Sequence, residues 1–296
     1  MKKVFLTIPF IFIFSLSLSL SVLASDQNNN FKRSIVEENN LFIPVGYKNA
    51  SSITIEVFNQ VIADITKIYA PIVASKGATL SILGNWEDGT VNAYASRSGN
   101  KWKINLFGGL ARHQAITADG FALVVCHELG HHVGGAPKVQ SFFSSWASNE
   151  GQSDYFATLK CLRKYFEKDN NEAIVSGLNI PDYVTKLCEQ THSNLEEIAI
   201  CKRGAMSGKS VAELFVALSN GSKIDFSTPD TTVVTTTNDA HPNSQCRLDT
   251  YLAGAICSVS ENEDLEDSDV TKGACTKSKG FALGLRSRCW YKPTIE

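Results

Sequence analysis

The chain has 296 residues, is 43% hydrophobic and 20% charged, and carries a formal net charge of −2. That composition is ordinary for a protein with a real core, and it excludes both a disordered chain and the basic footprint of a nucleic-acid binder. Length alone allows one large domain or two small ones.

Lys2 and Lys3 open the chain, and an apolar run from Phe5 to Leu23 follows. Val22-Leu23-Ala24 has the small-residue form of a signal-peptide end, so a cut is expected after Ala24. The other reading of so long a run is a retained anchor. Without Lys2 and Lys3 the formal charge becomes −4, and no later stretch is long and apolar enough to span a membrane. All eight cysteines (Cys126, Cys161, Cys188, Cys201, Cys246, Cys257, Cys275 and Cys289) follow that point. An even number in an exported chain points to disulfides, and the pairing is open. No pair is spaced C-x-x-C, which argues against a cysteine zinc knuckle.

Residues 25–50 are polar and rich in asparagine, as in a flexible leader. From Ser51 the residues Ile55, Phe58, Val61, Ile62, Ile65 and Tyr69 lie on a helical stripe that should stop at Pro71. Residues 79–83, 91–95 and 101–107 alternate as strands. Ser98-Gly99-Asn100 is a hairpin turn, so a small antiparallel sheet is expected. A second helix starts near Thr117 or Asp119, runs through the unbroken apolar residues 121–125, and stops at Gly134-Gly135. Helices are expected again from Asn149, from Pro181 to Lys202, from Ser210 to Leu218 and from Asn243 to Ile256. Residues 221–240 read as a loop and 261–269 as an acidic, solvated loop. The tail with Cys275, Cys289, Trp290 and Tyr291 should pack on the same body. The class is α+β, mainly helical, with one domain over 51–258 and an acidic loop and tail over 259–296.

The chemistry centres on His127-Glu128-Leu129-Gly130-His131, an H-E-x-x-H pattern. Positions four apart share one helix face, so both imidazoles can reach one metal ion, with Glu128 on its open side. The helix around them is apolar and therefore a buried one. Burying such groups alone is costly, and a metal is the simplest compensation. Cys126 is rotated about 100° from His127 on the helix, which suits packing or a disulfide rather than ligation. A catalytic zinc site needs a third ligand. Glu150, nineteen residues after His131, is the candidate, and Asp154 one turn later can accept the free ring N–H of a ligating histidine. His241-Pro242 adds an imidazole that could hydrogen-bond an oxyanion or equally sit on the metal's open position, and Arg247 could pair with Asp154. The strand Asn92-Ala93-Tyr94-Ala95 is a candidate edge for an extended peptide.

Taken in order, these motifs resemble the gluzincin metallopeptidases of the HtpX and CAAX prenyl-protease type. Residues 91–95 are similar to the family's V-N-A-[FY]-A strand, and Gly108-Gly109-Leu110 to its G-G-L. His127 to His131 resembles its zinc helix. Glu150, Asp154, Phe156 and Ala157 resemble E-x-x-A-D-x-x-A, with Ser153 where alanine is usual. His241, Pro242 and Arg247 resemble H-P-x-x-x-x-R. The resemblance covers roughly residues 50 to 258. It implies a zincin-like fold and one zinc ion held by His127, His131 and Glu150. It also implies Glu128 as base, a polypeptide substrate that is extended or unfolded, and a role in envelope protein quality control. The eight cysteines, the lack of membrane helices around the core and the tail from about residue 259 depart from the family pattern. A latent or chaperone-like zinc-binding protein on the same fold is one alternative, and a metal-free structural domain in which the histidines are satisfied core groups is another.

Overall fold

A computed structural model of the chain describes Met1, residues 32–140 and residues 146–293. The expected signal segment and its cut after Ala24 lie outside the described residues. Among the described residues no helix is long and apolar enough to cross a membrane.

The fold is α+β. Four strands, β1 (Lys32–Ser34), β2 (Thr79–Asn85), β3 (Ala93–Ser98) and β4 (Lys101–Phe107), form one sheet in the order β1-β3-β4-β2. The alternation in residues 101–107 does what it predicts: Trp102, Ile104 and Leu106 are buried. β3 and β4 form the expected hairpin, antiparallel from Ala93↔Leu106 to Ser98↔Lys101. The sheet is nevertheless mixed, not antiparallel. β2 runs parallel to β4, from Thr79↔Lys101 to Asn85↔Phe107. Residue alternation reports which face a side chain takes and carries no information on strand direction. With one edge of β4 taken by the hairpin, β2 lies on the other.

The leader expected over 25–50 is also revised. β1 pairs antiparallel with β3, and Ile35, Val36 and Ile43 are buried. Polar neighbours disguise these few anchors, and most of the pairing is made by backbone groups that composition does not reveal.

The helices are α1 (Ile55–Ser75), the short α2 (Gly108–Ala111), α3 (Ala118–Val133), α4 (Glu150–Phe156), α5 (Leu162–Phe166), α6 (Asn171–Ser176), α7 (Asp182–Thr191), α8 (Leu195–Ser219) and α9 (Ser244–Ile256). Thr54 caps α1 by accepting from the Val57 N–H. The helix runs through Pro71 because the ring sits on the exposed side, while Tyr69 and Val73 are buried. Packing outweighs one missing backbone bond there. The single helix expected from Pro181 to Lys202 is two. Asn194 caps α8 by accepting from the Glu197 N–H, and His192 between the helices is extended. α8 then continues through the shorter helix expected from Ser210. α4 and α5 are joined by a π-helical turn, Ala157–Cys161.

α3 is the central element. It packs on α1, α4, α8 and the β3–β4 hairpin, and its residues from Gly120 to His132 are buried. Thr117 caps it on the Gly120 N–H. At the same end the Arg203 guanidinium of α8 grips Asp119 at 2.6 and 2.8 Å.

All eight cysteines are paired: Cys126–Cys161, Cys188–Cys201, Cys246–Cys289 and Cys257–Cys275. The first ties α3 to the π-helical turn, so Cys126 has the disulfide role its position suggested. The last two pin the tail to α9. Trp290 is fully buried there, and a Cβ on Gly151 of α4 would stand 2.2 Å from its ring. That position must be glycine for the tail to seat.

Candidate metal centre

His127 and His131 project from one face of α3 toward Glu150 at the first turn of α4. Asn149 caps α4 by accepting from the Gln152 N–H, which fixes where Glu150 starts. The approach of α3 to α4 depends on Gly130, where a Cβ would meet the Ser153 Cα at 2.9 Å. Ligand-type atoms of His127, His131 and Glu150 lie within 4.8 Å of one another, and all three residues are buried.

The outward nitrogens of both imidazoles are fixed. His127 Nδ1 lies 2.7 Å from Asp154 Oδ1. His131 Nδ1 lies 2.8 Å from the Ser148 carbonyl, with Ser153 Oγ 3.0 Å away. Both Nδ1 atoms therefore donate, and both Nε2 lone pairs face inward. His127 Nε2 is 3.2 Å from Glu150 Oε2, and His131 Nε2 is 3.6 Å from Glu150 Oε1. Despite that proximity neither Nε2, nor Glu150 Oε2, makes a hydrogen bond, and all are out of solvent. Three buried, inward-facing atoms that make no hydrogen bond are costly as they stand. One cation between them satisfies all three. Two imidazole nitrogens and a carboxylate oxygen are a metal donor set. Spacings of this size are those of ligands on one ion with bonds of about 2.1 Å. The residues fit a metal ion.

Asp154 holds the second layer together. Besides His127 it accepts from Arg247 Nε and Nη2 at 2.7 Å each and from the Tyr251 hydroxyl at 2.7 Å. Arg247 lies over the Phe215 ring at 3.9 Å. Burial alone would raise the Asp154 carboxyl, but Arg247 and His127 outweigh it and hold it at about 2. Burial likewise opposes charge on His127, yet Asp154 and Glu150 pull its affinity for a proton upward. His131, which lacks such a carboxylate on Nδ1, is held neutral by burial. Glu150 would be raised by burial but is kept well below the usual carboxylate range by His131, His241 and His127.

Glu128 follows His127, is fully buried, and has no partner on either carboxylate oxygen. Burial pushes its carboxyl up to about 8, with His127 opposing and Glu150 adding to the rise. A carboxyl poised near neutrality can both take and return a proton.

His241 does not join the ligand group. Its Nε2 is 2.6 Å from the Ser34 carbonyl oxygen and 3.4 Å from Glu150 Oε2, and its Nδ1 is 2.8 Å from Glu37 Oε1. Of the strand residues singled out in the sequence, Ala93 and Ala95 are buried. Asn92 Nδ2 donates to the Val36 carbonyl at 3.3 Å, and Tyr94 carries the Lys32 ammonium 3.9 Å above its ring. A cavity of about 720 Å³ opens beside His241 and Arg247, with Val36, Phe215 and Leu218 among its walls.

Tyr251, the Ser148 carbonyl and residues 34–37 are site components that the sequence reading missed. Tyr251 stands four residues after Arg247, one helical turn on, and that spacing was a usable signal. Nothing local marks the other two. His132, the third histidine of the run, is structural. It stacks between Trp102 and Trp146, accepts from Arg97 Nε at 3.2 Å on Nδ1, and lies 3.1 Å from the Lys103 carbonyl on Nε2. The chain matches no family model, no curated protein and no solved structure.

Proposed function

We propose that the chain is an exported zinc-dependent endopeptidase of the gluzincin kind on a zincin-like fold, acting on extended or unfolded polypeptide. The observation that carries the reading is the set of buried, unpartnered inward atoms of His127, His131 and Glu150 with the unpartnered Glu128 carboxyl beside them. The four disulfides fit an exported protein.

Zinc held by His127, His131 and Glu150 would supply Lewis-acid chemistry, making a water nucleophilic near neutral pH and polarising a peptide carbonyl. Glu128 accepts the proton of the attacking water and later passes it to the leaving amine. His241 Nε2 donates to the carbonyl oxygen as it gains charge. Asp154 fixes the tautomer and ring orientation of His127, and Arg247 and Tyr251 fix Asp154. The β3 edge holds the substrate extended.

The test is Glu128→Gln, which keeps the shape of the site and removes the proton acceptor. Expected is near-stoichiometric zinc in both proteins, with cleavage of an unfolded substrate only in the wild type. Equal cleavage by both would refute the assignment. Zinc without cleavage in either would favour the latent, chaperone-like reading, which the close engagement of His241 by Ser34 and Glu37 supports.

A further inference from the structure

β3 is the strand nearest the metal group that could accept an added peptide, and its outer edge is taken. Lys32, Arg33 and Ser34 pair with Ser96, Ala95 and Tyr94, antiparallel. Beyond the strand, Ile35 N–H donates to the Ala93 carbonyl at 3.1 Å. The next polar atoms of this backbone each meet a different part of the site. The Ser34 carbonyl receives His241 Nε2 at 2.6 Å, the Ile35 carbonyl receives Arg247 Nη1 at 2.7 Å, and the Val36 carbonyl receives Asn92 Nδ2 at 3.3 Å. His241 and Arg247 lie more than two hundred residues along the chain.

Every one of these bonds is made by backbone atoms of residues 34–36. They would be available to any extended peptide. The Ser34 carbonyl oxygen is also at the metal group. Its 2.6 Å to His241 Nε2 and that atom's 3.4 Å to Glu150 Oε2 place it no more than about 6 Å from the carboxylate. Two side chains anchor it, Ile35 most deeply: Ile35 is fully buried and Val36 6% exposed, whereas Glu37 and Glu38 after them are exposed. The cavity beside His241 and Arg247 has Val36, Glu37, Glu38 and Asn39 in its wall, so open space adjoins the segment just past Ile35.

We infer that residues 32–36 are a tethered occupant of a peptide-binding groove. They hold the Ser34–Ile35 bond at the metal group, in a groove that takes extended peptides with a branched aliphatic residue just after that bond. The consequence, that the segment competes with substrate and slows cleavage while it is in place, rests on the peptidase reading. The groove itself does not.

The experiment uses the full zinc-loaded chain carrying Glu128→Gln, so that nothing is cut. Binding of a fluorescein-labelled peptide, Lys-Arg-Ser-Ile-Val-Glu, is followed by anisotropy. A tethered segment competes at an effective concentration on the order of 1 mM, so releasing it with an added Ile35→Asp should tighten the apparent Kd about tenfold or more. A peptide with aspartate in place of its isoleucine should not bind. Equal affinity with and without Ile35→Asp, or equal binding of both peptides, overturns the inference. A thermal melt checks that the Ile35→Asp chain unfolds cooperatively. If it does not, Ile35→Ala carries the test, with an expected gain of about threefold, and no gain overturns the inference. Cleavage is scored separately on chains retaining Glu128. A chain with Ile35→Asp that binds the peptide more tightly but never cuts it sinks the peptidase reading and leaves the groove standing. One that cuts with no change in binding does the reverse.

Discussion

Asp154→Asn tests the second layer of the site. The carboxylate accepts four hydrogen bonds: from His127, Arg247 Nη2 and Tyr251 on Oδ1, and from Arg247 Nε on Oδ2. An amide keeps one oxygen. If that oxygen takes the Oδ1 place, the new N–H₂ faces Arg247 Nε, donor against donor. The charge-assisted bond there is lost, and the other three lose the ionised acceptor. Charge-assisted bonds contribute about 1.5–3 kcal/mol each against about 1 for neutral ones. The guanidinium, fully buried, keeps only neutral oxygen partners, the amide oxygen and the Ile35 carbonyl. Removing one member of a buried ion pair costs about 3–5 kcal/mol, which is the loss expected here. His127 also loses the charge on its orienting acceptor, so metal affinity should fall about 10–100-fold. The assays are urea unfolding of the zinc-free protein and zinc binding by chelator competition. The pair Asp154→Leu with Arg247→Met should be less destabilised than Asp154→Asn alone, because no charge is stranded. A loss below about 1 kcal/mol together with unchanged zinc affinity would refute the reasoning.

Gly130→Ala drives a methyl into the Ser153 backbone, so α3 and α4 must separate. About 1–3 kcal/mol of stability and most of the affinity for added metal ion should go, and retained stoichiometric metal would contradict the close-approach argument. Replacing both Cys126 and Cys161 by alanine opens a link of sequence separation 35, for which chain entropy gives about 3–4 kcal/mol, read as a lower urea midpoint. Lys160 is buried, and burial, aided by Arg163, lowers its ammonium to about 7 from an ordinary 10.5. Its folded pKa lies below the unfolded one, so the unfolded chain holds the extra proton between those values and stability rises with pH across that window. Lys160→Met should flatten that rise in urea midpoints taken at about pH 7 and 10, and an unaltered slope would contradict it.

The metal helix was legible because its signal is local. Thr117, the apolar residues 121–125 and the glycine stop all lie within one helix, and H-E-x-x-H needs only helical spacing to converge. Glu150 and Asp154 were legible for the same reason once a third ligand was required. What was not legible is non-local. The direction of β2 leaves no trace in alternation. Pro71 marks a helix end unless the core on the far side is known. The pairing of β1 is a backbone affair, and its side-chain signal, the Ile35-Val36 pair, is two residues in a polar stretch. His241 illustrates the limit at the site: its motif suggested an oxyanion donor or a metal block, and its partner is the chain's own Ser34 carbonyl.

The four cross-links have an uneven reach. All their cysteines lie between residues 126 and 289, so the sheet, α1 and the strand over β3 belong to no covalent loop. The metal group rests on the stapled half, while the β3 wall beside it belongs to the unstapled half. Oxidation therefore limits the unfolded freedom of one half and leaves the other to fold and open by packing alone. In hydrogen exchange under mild denaturant, amides of β2, β3 and β4 should open before those of α3 and α9. A groove of the kind inferred would widen by its wall swinging out from a floor that stays put, so that access to the candidate metal site follows the softness of the sheet and not of the helices that carry its ligands.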